Sequence, residues 1–167
     1  FLRAMALLTD RTDITAALYG EQESWSKDAY GQDMLKLASG ITGVKIMGKF
    51  DPADIHRIHG QIDALIVPSI WAENCPLTIL EALALGTPVI CADGEGMTNL
   101  IQDGHNGLVF KSRDSADLAA RIRTLADSPG LLQKLQTNAQ CLRIISQDVA
   151  EFEKIYAHAK PPADPQW

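Results

Sequence analysis

Five short apolar runs, at 14–19, 44–47, 64–67, 88–92 and 107–110, are separated by stretches whose apolar residues recur at helical spacing. Single buried strands alternating with helices leave few options. Right-handed crossovers place helices over both faces of a parallel sheet, so the pattern predicts a doubly wound α/β domain. Ligands in such sheets bind beyond the carboxyl ends of the strands, which directs attention to the loops after Met47, Val67 and Ala92.

The connecting helices are read at 24–38, 52–58 (begun by Asp51), 77–85 (closed by Gly86), one turn at 97–102, 118–126 (capped by Ser112 or Asp114) and a long region at 131–159 broken near Ser146. Gly94 and Gly96 are read as part of a turn. Pro161, Pro162 and Pro165 end regular structure, so residues 1–160 form the expected domain and 161–167 a flexible tail. Phe1, Leu2, Met5 and Leu8 follow helical spacing from the first residue, which is not methionine. This opening predicts a piece of a longer polypeptide.

With 167 residues, 46% of them hydrophobic, the chain suffices for one domain with an ordinary core. Its formal charge of -6, with 15 scattered basic residues against 21 acidic ones, argues against nucleic acid as a partner. No apolar run is long enough for a transmembrane segment. Cys75, Cys91 and Cys141 show neither disulfide-scaffold nor metal spacing, so reduced thiols and a cytoplasmic location are expected. His56 and His59 have helical spacing without further ligands and are read as a solvated helix face, and no metal is expected.

The segment from Val67 to Ile90 is the richest in chemistry. A strand stops at Pro68-Ser69, a loop carries Glu73, and a helix begins near Pro76, which has no N–H to leave unpaired. The amides of Leu77 and Thr78 then point out of the helix N-terminus, where unpaired N–H groups and the helix dipole favour an anion such as a diphosphate. Glu81 shares a helix face with Leu77 and Leu85, which predicts a carboxylate between apolar neighbours rather than on an open polar face. Near a diphosphate, a carboxylate is suited to accept hydrogen bonds from neutral hydroxyls such as those of a ribose. Glu73 is within a loop's reach of a sugar beyond the diphosphate, and Asn74 and Cys75 lie where backbone amides approach that sugar.

Glu73 and Glu81 in E-x7-E spacing, followed by Ala82 and Gly86-Thr87-Pro88-Val89, resemble the C-terminal, donor-binding domain of family 4 (group 1) GT-B glycosyltransferases. The resemblance extends to Val44 through Phe50, Asp63 through Val67, Asp103 through Leu108 and Asp117-Leu118-Ala119, most of the chain. It implies a Rossmann-like half of a GT-B fold and retaining, metal-independent transfer of a hexose-type sugar from a UDP- or GDP-sugar, with no other cofactor. In that reading Glu73 is the catalytic residue at the donor sugar, Glu81 holds the ribose, and the Leu77 and Thr78 amides hold the diphosphate. Gly48, Lys49 and Phe50 border the base.

The resemblance further implies an N-terminal domain that takes the acceptor, and an earlier strand bearing Gly-Arg and Lys-Gly pairs ahead of Phe1. Without them the isolated piece is expected to be inactive and to bind donor weakly. Peripheral membrane contact of the parent enzyme stays open. Asn99 stands where the family often has a glutamate. Two other readings remain beside the transferase: a non-catalytic nucleotide-sensing or interaction module of the same fold, and a GT-B nucleotide-sugar epimerase.

Overall fold

The computed structural model describes residues 1–21, 25–139 and 145–158. In chain order the elements are α1 (Leu2–Ala6), β1 (Ala16–Tyr19), α2 (Ala29–Ser39), β2 (Val44–Gly48), a 3-10 turn (Pro52–Asp54) running into α3 (Ile55–His59), and β3 (Leu65–Val67). They continue with α4 (Leu77–Ala84), β4 (Val89–Ala92), α5 (Glu95–Thr98), β5 (Gly107–Phe110), α6 (Ser115–Ala126), α7 (Pro129–Ala139) and α8 (Ile145–His158).

Every strand pairing between these elements is parallel, and helices flank the strands, as the alternation predicts. β1 pairs with β2, Ala16 opposite Val44 and Leu18 opposite Ile46, with a register slip before Tyr19. β4 lies between β3 and β5, Val67 opposite Cys91 on one side and Ala92 opposite Phe110 on the other. The two groups are not hydrogen-bonded to each other, so the expected single sheet occurs as two pieces, β2-β1 and β3-β4-β5.

β4 is buried along its whole length, as a strand covered on both faces must be. Around it pack Ile79 and Leu83 of α4, Met97 of α5, Leu118 of α6 and Leu135 of α7, all 1% exposed or less. Truncating one of these to alanine costs about 2–5 kcal/mol.

Several boundaries differ from the sequence expectation, each for a local reason. α2 starts at Ala29, because the Asp28 side chain accepts from the Gly31 N–H at 2.6 Å and caps the helix there. Of the two candidate caps for α6, Asp114 is used, accepting from the Ala116 and Asp117 amides at 3.0 Å each. The single helical turn lies at Glu95–Thr98 rather than 97–102, with Gly94 at its N-cap. The long helical region read at 131–159 occurs as two helices, α7 and α8, with Ser146 the second residue of α8; residues 140–144 between them lie outside the described residues. The expected tail at 161–167 falls outside the described residues.

No side chain of α8 is buried; Ile145, Val149, Phe152, Ile155 and Tyr156 are all exposed. None of the described helices is long and apolar enough to cross a membrane.

Candidate functional site

In a parallel sheet all carboxyl ends open on one side, so the loops after β1 and β2 share one edge of their piece and those after β3 and β4 share one edge of theirs. The loop after β3 holds Glu73 half-buried. Ser69, two residues past the strand, donates from its hydroxyl to Glu73 Oε1 at 2.9 Å and fixes the carboxylate's direction. From the far side the loop meets α5. Gly96 is so close to it that a Cβ there would lie inside the van der Waals shell of the Glu73 carbonyl. The loops after β3 and β4 are therefore packed backbone to backbone.

Beyond Glu73, Asn74 and Cys75 are exposed and α4 begins, with Pro76 at its N-cap. No side chain caps this helix. Leu77 is 71% exposed and Thr78 is exposed, so the first turn of α4 faces outward. An uncapped helix start of this kind favours an anion.

Glu81 departs from the expectation. It is exposed, and its neighbour one turn back, Leu77, is exposed as well, so the carboxylate is on an open face rather than enclosed between apolar groups. Its charge reaches His59, the residue that corrects the second expectation. His59 is 8% exposed, not solvated, and its Nδ1 lies 3.0 Å from Thr87 Oγ1. Burial lowers the imidazole pKa below its usual value, against a smaller opposing pull from Glu81. Thr87 in turn donates its N–H to the Ala82 carbonyl at 2.8 Å, so His59 is tied to the end of the helix that bears Glu81. His56, three residues earlier, is exposed as read.

At the other strand ends, Gly48 closes β2 with φ of 77°, a left-handed conformation that any side chain would strain, and its carbonyl accepts from Gly20 N–H at 2.9 Å. Lys49 pairs with Glu21 at 2.7 Å on the surface. Phe50, 41% exposed, meets Tyr19 edge to face, ring centres 5.6 Å apart and planes at 82°. The structure thus groups Glu73 through Glu81 on one loop and helix, and Gly48, Lys49 and Phe50 with Tyr19 and Glu21 on the other half-sheet. Asn99, at the C-cap of α5, is exposed.

Ser69, Gly96, His59 and Tyr19 were not read as site residues from sequence. For Gly96 a signal existed in the Gly94-x-Gly96 pair; for the others, whose partners are distant in sequence or ordinary in composition, there was none. Among the described residues no group of three or more His, Cys, Asp or Glu converges as metal ligands would.

A sequence profile described as glycosyl transferases group 1 matches residues 1–141. A D-inositol 3-phosphate glycosyltransferase of Streptomyces bingchenggensis is 39% identical over 75 residues, covering 45% of this chain and 16% of that protein. A glycogen synthase of Mycobacterium tuberculosis is 29% identical over 123 residues, 74% of this chain and 28% of that protein. The crystal structure of Anabaena HepE in complex with UDP-glucose matches with a TM-score of 0.76 at 23% identity, over 91% of this chain and 44% of that one. The chain therefore matches less than half of the length of each of these proteins.

Proposed function

The chain belongs to the group 1 glycosyl transferases and has the parallel α/β architecture of their GT-B fold; from that membership we propose that residues 1–160 are the donor-binding domain of a retaining glycosyltransferase. A second domain of the parent polypeptide binds the acceptor. HepE holds UDP-glucose, so a UDP-sugar is the donor proposed here ahead of a GDP-sugar. The cytoplasm is the proposed compartment.

The observation that carries this reading is the conjunction at the end of β3: a carboxylate oriented by Ser69, followed at once by an uncapped, outward-facing helix start. The amides of Leu77 and Thr78 meet the diphosphate without a metal. Glu81 accepts from the ribose hydroxyls, for which an open helix face is no obstacle. Gly48, with its backbone free of a side chain, and Phe50, supported by Tyr19, border the base, while Lys49 is held by Glu21. The amides beside Asn74 and Cys75 approach the sugar.

Glu73 acts at the donor sugar. As the bond from the sugar's anomeric carbon to the diphosphate oxygen breaks, positive charge develops on the ring and Glu73 stabilises it. The acceptor oxygen bonds to the same face of that carbon, and its proton passes to the departing diphosphate oxygen.

Calorimetric titration of the folded domain with UDP, GDP and ADP tests the reading, alongside Glu81→Ala and Glu73→Ala. Saturable binding of UDP, weakened about tenfold or more in Glu81→Ala, is expected, a loss of about 1.4 kcal/mol. Equal affinity for all three nucleotides, or none weakened by Glu81→Ala, would overturn it.

A further inference from the structure

The donor contacts proposed for Leu77, Thr78 and Glu81 all belong to α4, so the setting of that helix on the sheet decides where they point. Its buried face, made by Ile79, Ala82 and Leu83, is apolar. Apolar burial is non-directional: it holds the helix down without fixing its rotation or its position along its own axis. No side chain caps the start of α4. The directional anchor is at its other end.

There the chain leaves α4 by a tight closing turn. Gly86 takes φ of 73°, its N–H donates to the Leu83 carbonyl at 3.1 Å, and the Thr87 N–H donates to the Ala82 carbonyl at 2.8 Å. Thr87 is 4% exposed, and Pro88, next in the chain, accepts from the Leu65 N–H at 3.0 Å where β4 joins β3. His59, the last residue of α3, places its Nδ1 3.0 Å from the Thr87 hydroxyl oxygen. One buried hydrogen bond thus joins the ends of α3 and α4 at the root of β4.

We propose that His59 is a positioning residue for donor binding: its bond to Thr87 sets the rotation of α4, and with it the direction of Glu81 and of the Leu77 and Thr78 amides. The role rests on the donor-site reading of α4.

Stability alone does not require this pair. Replacing both partners of a buried hydrogen bond by apolar groups of the same shape is nearly neutral or even stabilising. What a satisfied buried hydrogen bond adds is one geometry in place of several. Glu81 is also near enough for its charge to act on the ring. Burial lowers the His59 pKa below its usual value, while Glu81 opposes that shift and His56 adds to it. The imidazole is therefore uncharged at neutral pH, and an uncharged ring leaves the Glu81 carboxylate to hydroxyl donors instead of drawing it into an ion pair.

Calorimetric titration with UDP-glucose tests the role, comparing the 167-residue chain with His59→Leu/Thr87→Val, which removes both polar partners and keeps most of their bulk. The double variant should keep its urea midpoint and bind UDP-glucose about tenfold more weakly. Thr87→Ser, which retains the hydroxyl, should bind within about twofold of the original chain. A folded double variant that binds as tightly as the original would overturn the proposal. A second measurement needs no substitution. The ring resonances of His59 in the original chain should shift as UDP-glucose saturates it, and resonances that stay fixed through saturation overturn the proposal too. Glu81→Ala separates this role from the donor reading. Binding weakened by Glu81→Ala but not by the double variant removes the positioning role alone, whereas no binding by the original chain removes the donor reading and the role with it.

Discussion

Gly96, in the first turn of α5, touches the backbone of Glu73, with no room between them for a Cβ. The contact joins the loops after β3 and β4 and sets the height of the Glu73 loop above the sheet. Overlap with a backbone carbonyl cannot be relieved by turning a side chain. Gly96→Ala is therefore expected to destabilise the domain by about 1–3 kcal/mol and to weaken UDP binding beyond what the stability loss explains. Urea unfolding followed by titration of the still-folded variant checks both parts.

Ser69→Ala removes the hydroxyl that directs Glu73. A single hydrogen bond of this kind contributes about 0.5–1.5 kcal/mol, so the variant should fold normally. In the parent enzyme, kcat is expected to fall about tenfold, equivalent to 1.4 kcal/mol of barrier, with KM for the donor little changed. Ser69→Thr, which keeps the hydroxyl, should restore most of the rate.

His59 makes stability depend on pH in a defined direction. Burial chiefly, with His56 adding to it and Glu81 opposing, lowers its pKa below the usual 6.5. The unfolded chain then takes up a proton before the folded one does. This contribution is full above about pH 6.5 and is lost as pH falls from there through the folded-state pKa. Urea midpoints measured between pH 7.5 and 5 should decline across that window, and less steeply in His59→Gln.

The described cysteines should react very differently. Cys91 is fully buried in β4, and burial pushes its thiol up to about 12, whereas Cys75 is exposed beside the start of α4. A neutral-pH thiol reagent is expected to label Cys75 and spare Cys91, as read by mass spectrometry of the peptides. If Cys75 borders the donor sugar, UDP-sugar should slow its labelling.

What the sequence discloses here is local. β5 occupies 107–110 as expected, because Asn106-Gly107 and the polar residues after Phe110 bound it clearly. The cap at Asp114 and the stop near Gly86 are likewise written in single residues. Contacts made across the fold are not. The alternation of Gly94 and Gly96 resembles a turn, and only the approach of Glu73 explains why glycine is used inside a short helix. Spacing puts Glu81 on a face with Leu77 and Leu85 but does not say whether anything covers that face. His59 is buried by its pairing with Thr87, 28 residues away. Periodicity identifies five strands without giving their order, so the division of the sheet became visible only in the structure.

The bare flank of α8 bears on how the material behaves in a tube. Ile145, Val149, Phe152 and Tyr156 recur at helical spacing, on a chain whose formal charge is -6. At low ionic strength that net charge holds copies apart. Raising salt screens that repulsion without weakening apolar attraction, so turbidity and light scattering should grow with added sodium chloride, the reverse of ordinary salting-in.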